Sequence, residues 1–326
     1  MKLRRLTAAL ATAMALTLTM SACSSGTSGD ENKSGDTISI EDNSGTVEVP
    51  KDPQRVVTLD NRSFETLESW GIKPVAAAKK LMPADNPQKK DDSIQDVGNH
   101  REPDFEVIVA AKPDLVITGQ RFRDHGEEIK KYSGDAPIVN LEPREGEDLG
   151  EELKRQTTTL GEIFGKQDEA KKLNDDFDAS VKRVKDAYNK DEKVMSVITS
   201  GGNINFAAPH EGRTLGPVYD MLGLTPSLEV KDSSSDHQGD DISVEAIAKS
   251  NPDWILVMDR DASVSANNGE KYTPANELIA QSEALKNVNA VKNQRIVYMP
   301  QDTYLNEGLQ TYTEFFNSLA DALEKK

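Results

Sequence analysis

One phrase occurs twice in this chain. Residues 106–117, EVIVAAKPDLVI, lie over residues 245–256, EAIAKSNPDWIL, without a gap. In each copy an acidic residue stands where a short helix begins, favourably placed against the helix dipole. A proline then ends the helix, because it has no N–H to donate and restricts the residue before it. An apolar run follows and reads as a buried strand. One such unit is common in any α/β fold. Two of them, on either side of a long charged segment, predict a duplicated pair of α/β lobes.

The rest of the chain alternates in the same way. Residues 37–40 and 46–49 flank Asn43, Ser44 and Gly45 as a hairpin, and residues 55–59 follow as a buried strand. Residues 64–70 have helical spacing and end at Gly71, while 75–78 and 115–118 are further strands. Apolar strands separated by helices imply parallel sheets covered on both faces. The charged segment 149–190 carries apolar positions at Leu153, Leu160, Ile163, Leu173 and Phe177, broken only at Gly165-Lys166. It reads as one long helix, or two in series, linking an N-terminal lobe (37–148) to a C-terminal lobe (191–326). A coiled coil is the alternative, disfavoured because no apolar heptad is sustained for three repeats. Strands then resume at 194–198, 254–258 and 296–299.

The N-terminus has the parts of an export signal: Lys2, Arg4 and Arg5, an apolar run from Leu6 to Met20 too short to span a bilayer comfortably, and the small residues Ser21 and Ala22. Cys23, the only cysteine, comes next, and the whole resembles the bacterial lipobox, in which that cysteine is diacylated and becomes the new N-terminus. Met20 stands where that motif usually has Leu, a change conservative in volume and polarity. Plain secretion with an unmodified Cys23 is the alternative. Residues 23–36 are a polar tether. Without a second cysteine there is no internal disulfide, so a hydrophobic core must hold the exported part together. Removing residues 1–22 takes the formal charge from -17 to about -20. Such a surface opposes nucleic acid, and any anion it binds must meet positive charge gathered in one place.

From Val49 to the C-terminus the chain resembles the helical-backbone (class III) solute-binding lipoproteins of ABC importers, in particular iron-siderophore and cobalamin receptors. The carriers are residues 49–57, the Lys-Pro-Asp and Asn-Pro-Asp phrases, residues 213–223 and residues 242–245. The resemblance implies two Rossmann-like lobes with parallel-type central sheets joined by one long α-helix, a ligand in the cleft between them and a small hinge movement on capture. It also implies an ABC permease and its ATPase as partners, a monomer lipid-anchored at the extracytoplasmic face of the cell membrane, no intrinsic cofactor and no catalysis.

Three arginines stand at strand ends in both lobes: Arg121 after residues 115–118, with Arg123 as its alternative, Arg213 after residues 206–209, and Arg260 after residues 254–258. Converging on one cleft they suit a polyanion, because guanidinium is always charged and grips oxygen pairs bidentately. Each alone reads equally as a solvated surface residue. Similarity is greatest to receptors of catecholate siderophores of the petrobactin and enterobactin type, which places His237 and Tyr304 in the ligand cleft. If the siderophore is tetradentate, the resemblance makes them direct Fe(III) ligands; otherwise His237 is a loop residue and Tyr304 a ring stacked on the cargo. It also assigns Glu106 and Glu245 to permease docking, beside their simpler reading as helix N-terminal carboxylates. His100 lies in a loop bordering the cleft, whereas His125 and His210 read as solvated loop residues. Carboxylate or hydroxamate siderophores, haem and cobalamin are the alternative cargoes. No Gly-x-Ser-x-Gly elbow, P-loop or dinucleotide fingerprint occurs, which leaves a secreted hydrolase as a remote alternative.

Overall fold

The computed structural model describes residues 36–325; Cys23 and the rest of residues 1–35 lie outside the described residues. The N-terminal lobe opens with the hairpin β1 (Thr37–Asp42) and β2 (Gly45–Pro50), paired antiparallel in the register Thr37↔Pro50 to Asp42↔Gly45. Then come β3 (Val56–Thr58), α1 (Phe64–Ser69), β4 (Ala76–Ala77), β5 (Gln95–Asp96) and the small hairpin β6 (Gly98–Asn99) and β7 (Glu102–Pro103). The lobe closes with α2 (Phe105–Ala111), β8 (Leu115–Thr118), α3 (Gly126–Tyr132) and β9 (Ile138–Asn140). Its sheet is wholly parallel, in the order β5-β4-β3-β8-β9. Successive residues serve opposite faces: Val56, Leu115 and Ile117 join one core, and Val57 and Val116 join the other.

The C-terminal lobe repeats the plan with β10 (Lys193–Ser200), β11 (Asn203–Phe206), α6 (Gly216–Leu222), β12 (Thr225–Pro226), α7 (Val244–Ser250) and β13 (Trp254–Asp259). It continues through α8 (Arg260–Asn267), α9 (Ala275–Gln281), α10 (Asn289–Lys292), β14 (Ile296–Tyr298), α11 (Thr303–Asn306) and α12 (Leu309–Glu324). Its sheet runs β11-β10-β13-β14, with β12 also on β10, and only β11 is antiparallel. Here too β13 divides its side chains, Trp254, Leu256 and Met258 to one core and Ile255 and Val257 to the other.

The duplicated phrase occupies equivalent places. α2 and α7 both end on a left-handed residue, Lys112 (φ 45°) and Asn251 (φ 48°), immediately before the proline. The aspartate that follows then secures the neighbouring strand. Asp114 accepts the main-chain N–H groups of Gln54 and Arg55, each at 2.8 Å, ahead of β3. Asp253 accepts Lys193 N–H at 2.9 Å, at the start of β10. Each phrase therefore sets the register of two adjacent parallel strands.

Segment 149–190 departs from one long helix. It is two helices, α4 (Leu149–Phe164) and α5 (Gln167–Ala187), folded back on each other, with Gly150 against Phe177 at one end and Gly161 against Ala170 at the other. Gly165 at φ 64° caps α4 in the left-handed region, and Lys166 is not helical. Only α4 crosses between the lobes. Its Leu153 belongs to the C-terminal core, its Leu160, Ile163 and Phe164 to the N-terminal core, and Gln156 between them donates to Asp60 Oδ2 at 2.8 Å. α5 returns to pack Phe177 and Val184 with α12 residues such as Phe316.

Candidate functional site

The loops leaving β8 and β13 meet at the ring of Tyr304, the second residue of α11. Arg121 lies in the 3-10 turn Gln120–His125 just beyond β8; its Nη2 donates to Tyr304 O at 2.7 Å and its Cζ is 4.9 Å from the ring centroid. The turn runs so close to the end of β3 that a Cβ on Gly119 would fall 2.3 Å from Asp60 Oδ1, so only glycine fits there. Arg260 begins α8, donates from Nη1 to Ser200 Oγ at 3.2 Å and places Cζ 4.8 Å from the same ring. Arg213 places its Cζ at 5.3 Å. Three guanidinium groups from two lobes thus surround one aromatic ring. Arg123 instead pairs with Glu142 at 3.1 Å, so of the two neighbouring arginines it is Arg121 that lies against the ring.

The arginines are not equally free. Arg213 donates from Nε and Nη2 to the two carboxylate oxygens of Glu307, at 3.1 and 2.7 Å, and Thr214 adds a bond of 2.6 Å to Oε1. Arg62 of the N-terminal lobe approaches Glu307 Oε2 to 3.7 Å. Burial would raise this carboxyl, but Arg213, Arg62 and Arg121 outweigh it and bring it down to about 2. Arg213 therefore meets a ligand with its fork already filled. Among the described residues, the Nε atoms of Arg121 and Arg260 are buried without an acceptor. Unpaired buried donors of this kind are costly and call for an oxygen from elsewhere. At Tyr304 itself burial acts to raise the phenol, yet Arg121, Arg213 and Arg260 overcome it and hold it below the ordinary tyrosine value.

A cavity of about 160 Å³ is lined by Arg121, Arg260 and Tyr304 together with Lys80, His100 and Arg101. Sequence reasoning missed Lys80 and Arg101. Both follow very short strands, β4 and β6, whose two residues give no periodicity to read. A larger cavity of about 630 Å³ adjoins at Asn267 and Leu305, but Glu65, Glu68, Asp85, Asp302 and Glu314 line it, which does not suit an anion. His237 does not line the arginine cavity. It sits in the loop before α7, its Nδ1 3.7 Å from Asp236, and remains within the field of the site: burial first, then Arg260 and Arg213, hold its imidazole below the usual value. His125, expected in solvent, instead packs against Phe105 and Phe122 at 5.5 and 6.0 Å. His210 is exposed and bonds Asp220. Glu106 and Glu245 are exposed in the first turns of α2 and α7, away from the cavity.

The sequence pattern of the periplasmic binding protein family matches residues 56–303. The petrobactin-binding protein YclQ of Bacillus subtilis is 31% identical over 97% of this chain and 97% of its own. The ferric-anguibactin-binding protein FatB of Vibrio anguillarum is 29% identical over 82% of this chain and 81% of its own. Among solved structures, the periplasmic catecholate-siderophore binding protein VctP of Vibrio cholerae superposes with a TM-score of 0.75 at 27% identity, covering 89% of this chain and all of VctP. The parallel two-lobe architecture agrees with these matches: the chain belongs to the periplasmic binding protein family.

Proposed function

We propose that the protein captures an anionic ferric siderophore, a catecholate in the first place, between its lobes and hands it to an ABC permease and its ATPase. The observation that carries this reading is the ring of Arg121, Arg213 and Arg260 around Tyr304. A ferric tris-catecholate bears about three negative charges, and guanidinium groups grip its paired oxygens bidentately. The similarity to receptors named for petrobactin and for a catecholate siderophore supports the same cargo. When the siderophore is tetradentate, the two open iron positions fall to Tyr304, whose phenol the arginines already favour as phenolate, and to His237 brought in by its loop. The part is one of binding rather than catalysis, and the ligand leaves unchanged. Cys23 anchors the monomer by lipid at the extracytoplasmic face of the cell membrane. Glu106 and Glu245, one on each lobe, dock against cationic residues of the permease.

The second reading is a carboxylate siderophore, also anionic; near-neutral hydroxamates gain least from three arginines. Fluorescence titration with ferric enterobactin, ferric citrate and ferric desferrioxamine separates them. The catecholate should bind tightest, and tightest binding of the hydroxamate complex would reject the proposal.

A further inference from the structure

His100 is the one histidine that lines the arginine cavity. Its loop is fixed before any ligand arrives. Asn99 Oδ1 accepts Arg101 N–H and Glu102 N–H at 2.8 and 3.0 Å, and Gly98, at φ 86°, lies so near Glu102 that a Cβ would fall 2.5 Å from its carbonyl oxygen. The carbonyl oxygen of His100 is bonded to His125 Nε2 at 2.8 Å, and His125 is itself held by Phe105 and Phe122. The ring is therefore presented by a stiff hairpin, as a recognition group should be.

The two ring nitrogens differ. Nδ1 is sealed in protein with no partner, which leaves Nε2 as the nitrogen that can serve the cavity. Burial first, then Arg121 and Arg101, push the imidazole below its usual value, which favours the uncharged ring. A proton on the sealed Nδ1 would be a buried donor without an acceptor, so we place it on Nε2. The site thus holds one uncharged N–H donor among its guanidinium groups.

Resting on the siderophore reading, we infer that His100 contacts the ligand, donating a hydrogen bond from Nε2 to an anionic catecholate or carboxylate oxygen of the ferric complex. The bond comes from the N-terminal lobe, whereas Tyr304 and Arg260 come from the C-terminal one. A complex must therefore present oxygen to both walls at once, which makes His100 a specificity residue.

The test compares wild-type protein with His100→Leu and His100→Gln in titrations with ferric enterobactin and ferric citrate, with thermal melting as the check on folding. Glutamine places an N–H near the position of Nε2 and leucine does not. For the complex that wild type binds tighter, H100L should weaken binding about tenfold, the usual effect of losing a hydrogen bond to a charged group, and H100Q by no more than about threefold. H100L within about twofold of wild type, or H100Q as weak as H100L with both folded, would overturn the inference while leaving the siderophore reading standing. Wild type that binds neither complex would overturn both. If H100L melts far below wild type, His100→Asn replaces it: its amide mimics Nδ1, so it should bind weakly where H100Q binds tightly, and equal affinities would again overturn the inference.

Discussion

Glu307 governs how much positive charge the cleft presents. Buried and shared by Arg213, Arg62 and Thr214, it leaves Arg121 and Arg260 as the arginines whose Nε atoms await an acceptor. Arg121, Arg213 and Arg260 were legible in the sequence because strand ends in α/β folds face the ligand crevice. The Arg213–Glu307 pair was not, since its partners are 94 residues apart and only folding joins them. Two predictions belong at this scale. Tyr304→Phe and His237→Ala should each weaken a tetradentate ferric complex much more than a hexadentate one; equal losses in fluorescence titration would remove both residues from the iron. The second concerns Asp60, which burial raises to about 6 against the opposing influence of Arg62. The folded chain keeps that proton at pH values where the unfolded chain has released it. Stability is then unpenalised below about pH 4 and falls as pH rises toward 6, by about 3 kcal/mol in order of magnitude. Denaturant melts should show wild type losing that much between pH 4 and pH 7 relative to Asp60→Asn; parallel pH profiles would refute it.

Between the elements, the repeated phrase acts through its aspartates. Asp114 and Asp253 each tie the approach to one strand to the start of its neighbour, and neither role is visible in a helix-proline-strand pattern read locally. Asp114→Ala strips two main-chain N–H groups of their acceptor and should destabilise by about 1–3 kcal/mol, measured by urea unfolding. The helical link shows where sequence reading reached its limit. Gly165-Lys166 was visible as a break, but helical periodicity on both sides does not say whether the chain continues or doubles back. Tertiary packing decides that: Gly161 lets α5 approach so closely that an added Cβ would lie 2.6 Å from that of Ala170. Gly161→Ala should accordingly cost about 1–3 kcal/mol through overpacking, and a neutral effect in the same assay would contradict the close hairpin.

For the whole molecule, α4 inserts apolar side chains into both cores and so ties the two lobes together by packing. A chain with formal charge -17 concentrates guanidinium groups at the lobe boundary, which gives an anionic ligand one favourable destination. The same layout puts exposed Glu106 and Glu245 at matching positions on the two lobes. Glu106→Ala with Glu245→Ala should abolish ferric siderophore uptake in cells while leaving binding by the purified protein unchanged; uptake at the wild-type rate would remove the docking role. The most direct measurement is the affinity of ferric enterobactin for wild-type protein and for Arg121→Gln with Arg260→Gln, titrated by fluorescence at low and high salt. Tight wild-type binding that weakens with salt, and at least a hundredfold loss in the double variant with its fold intact, is the predicted result. Unchanged affinity in the double variant would contradict the arginine cleft as the ligand site.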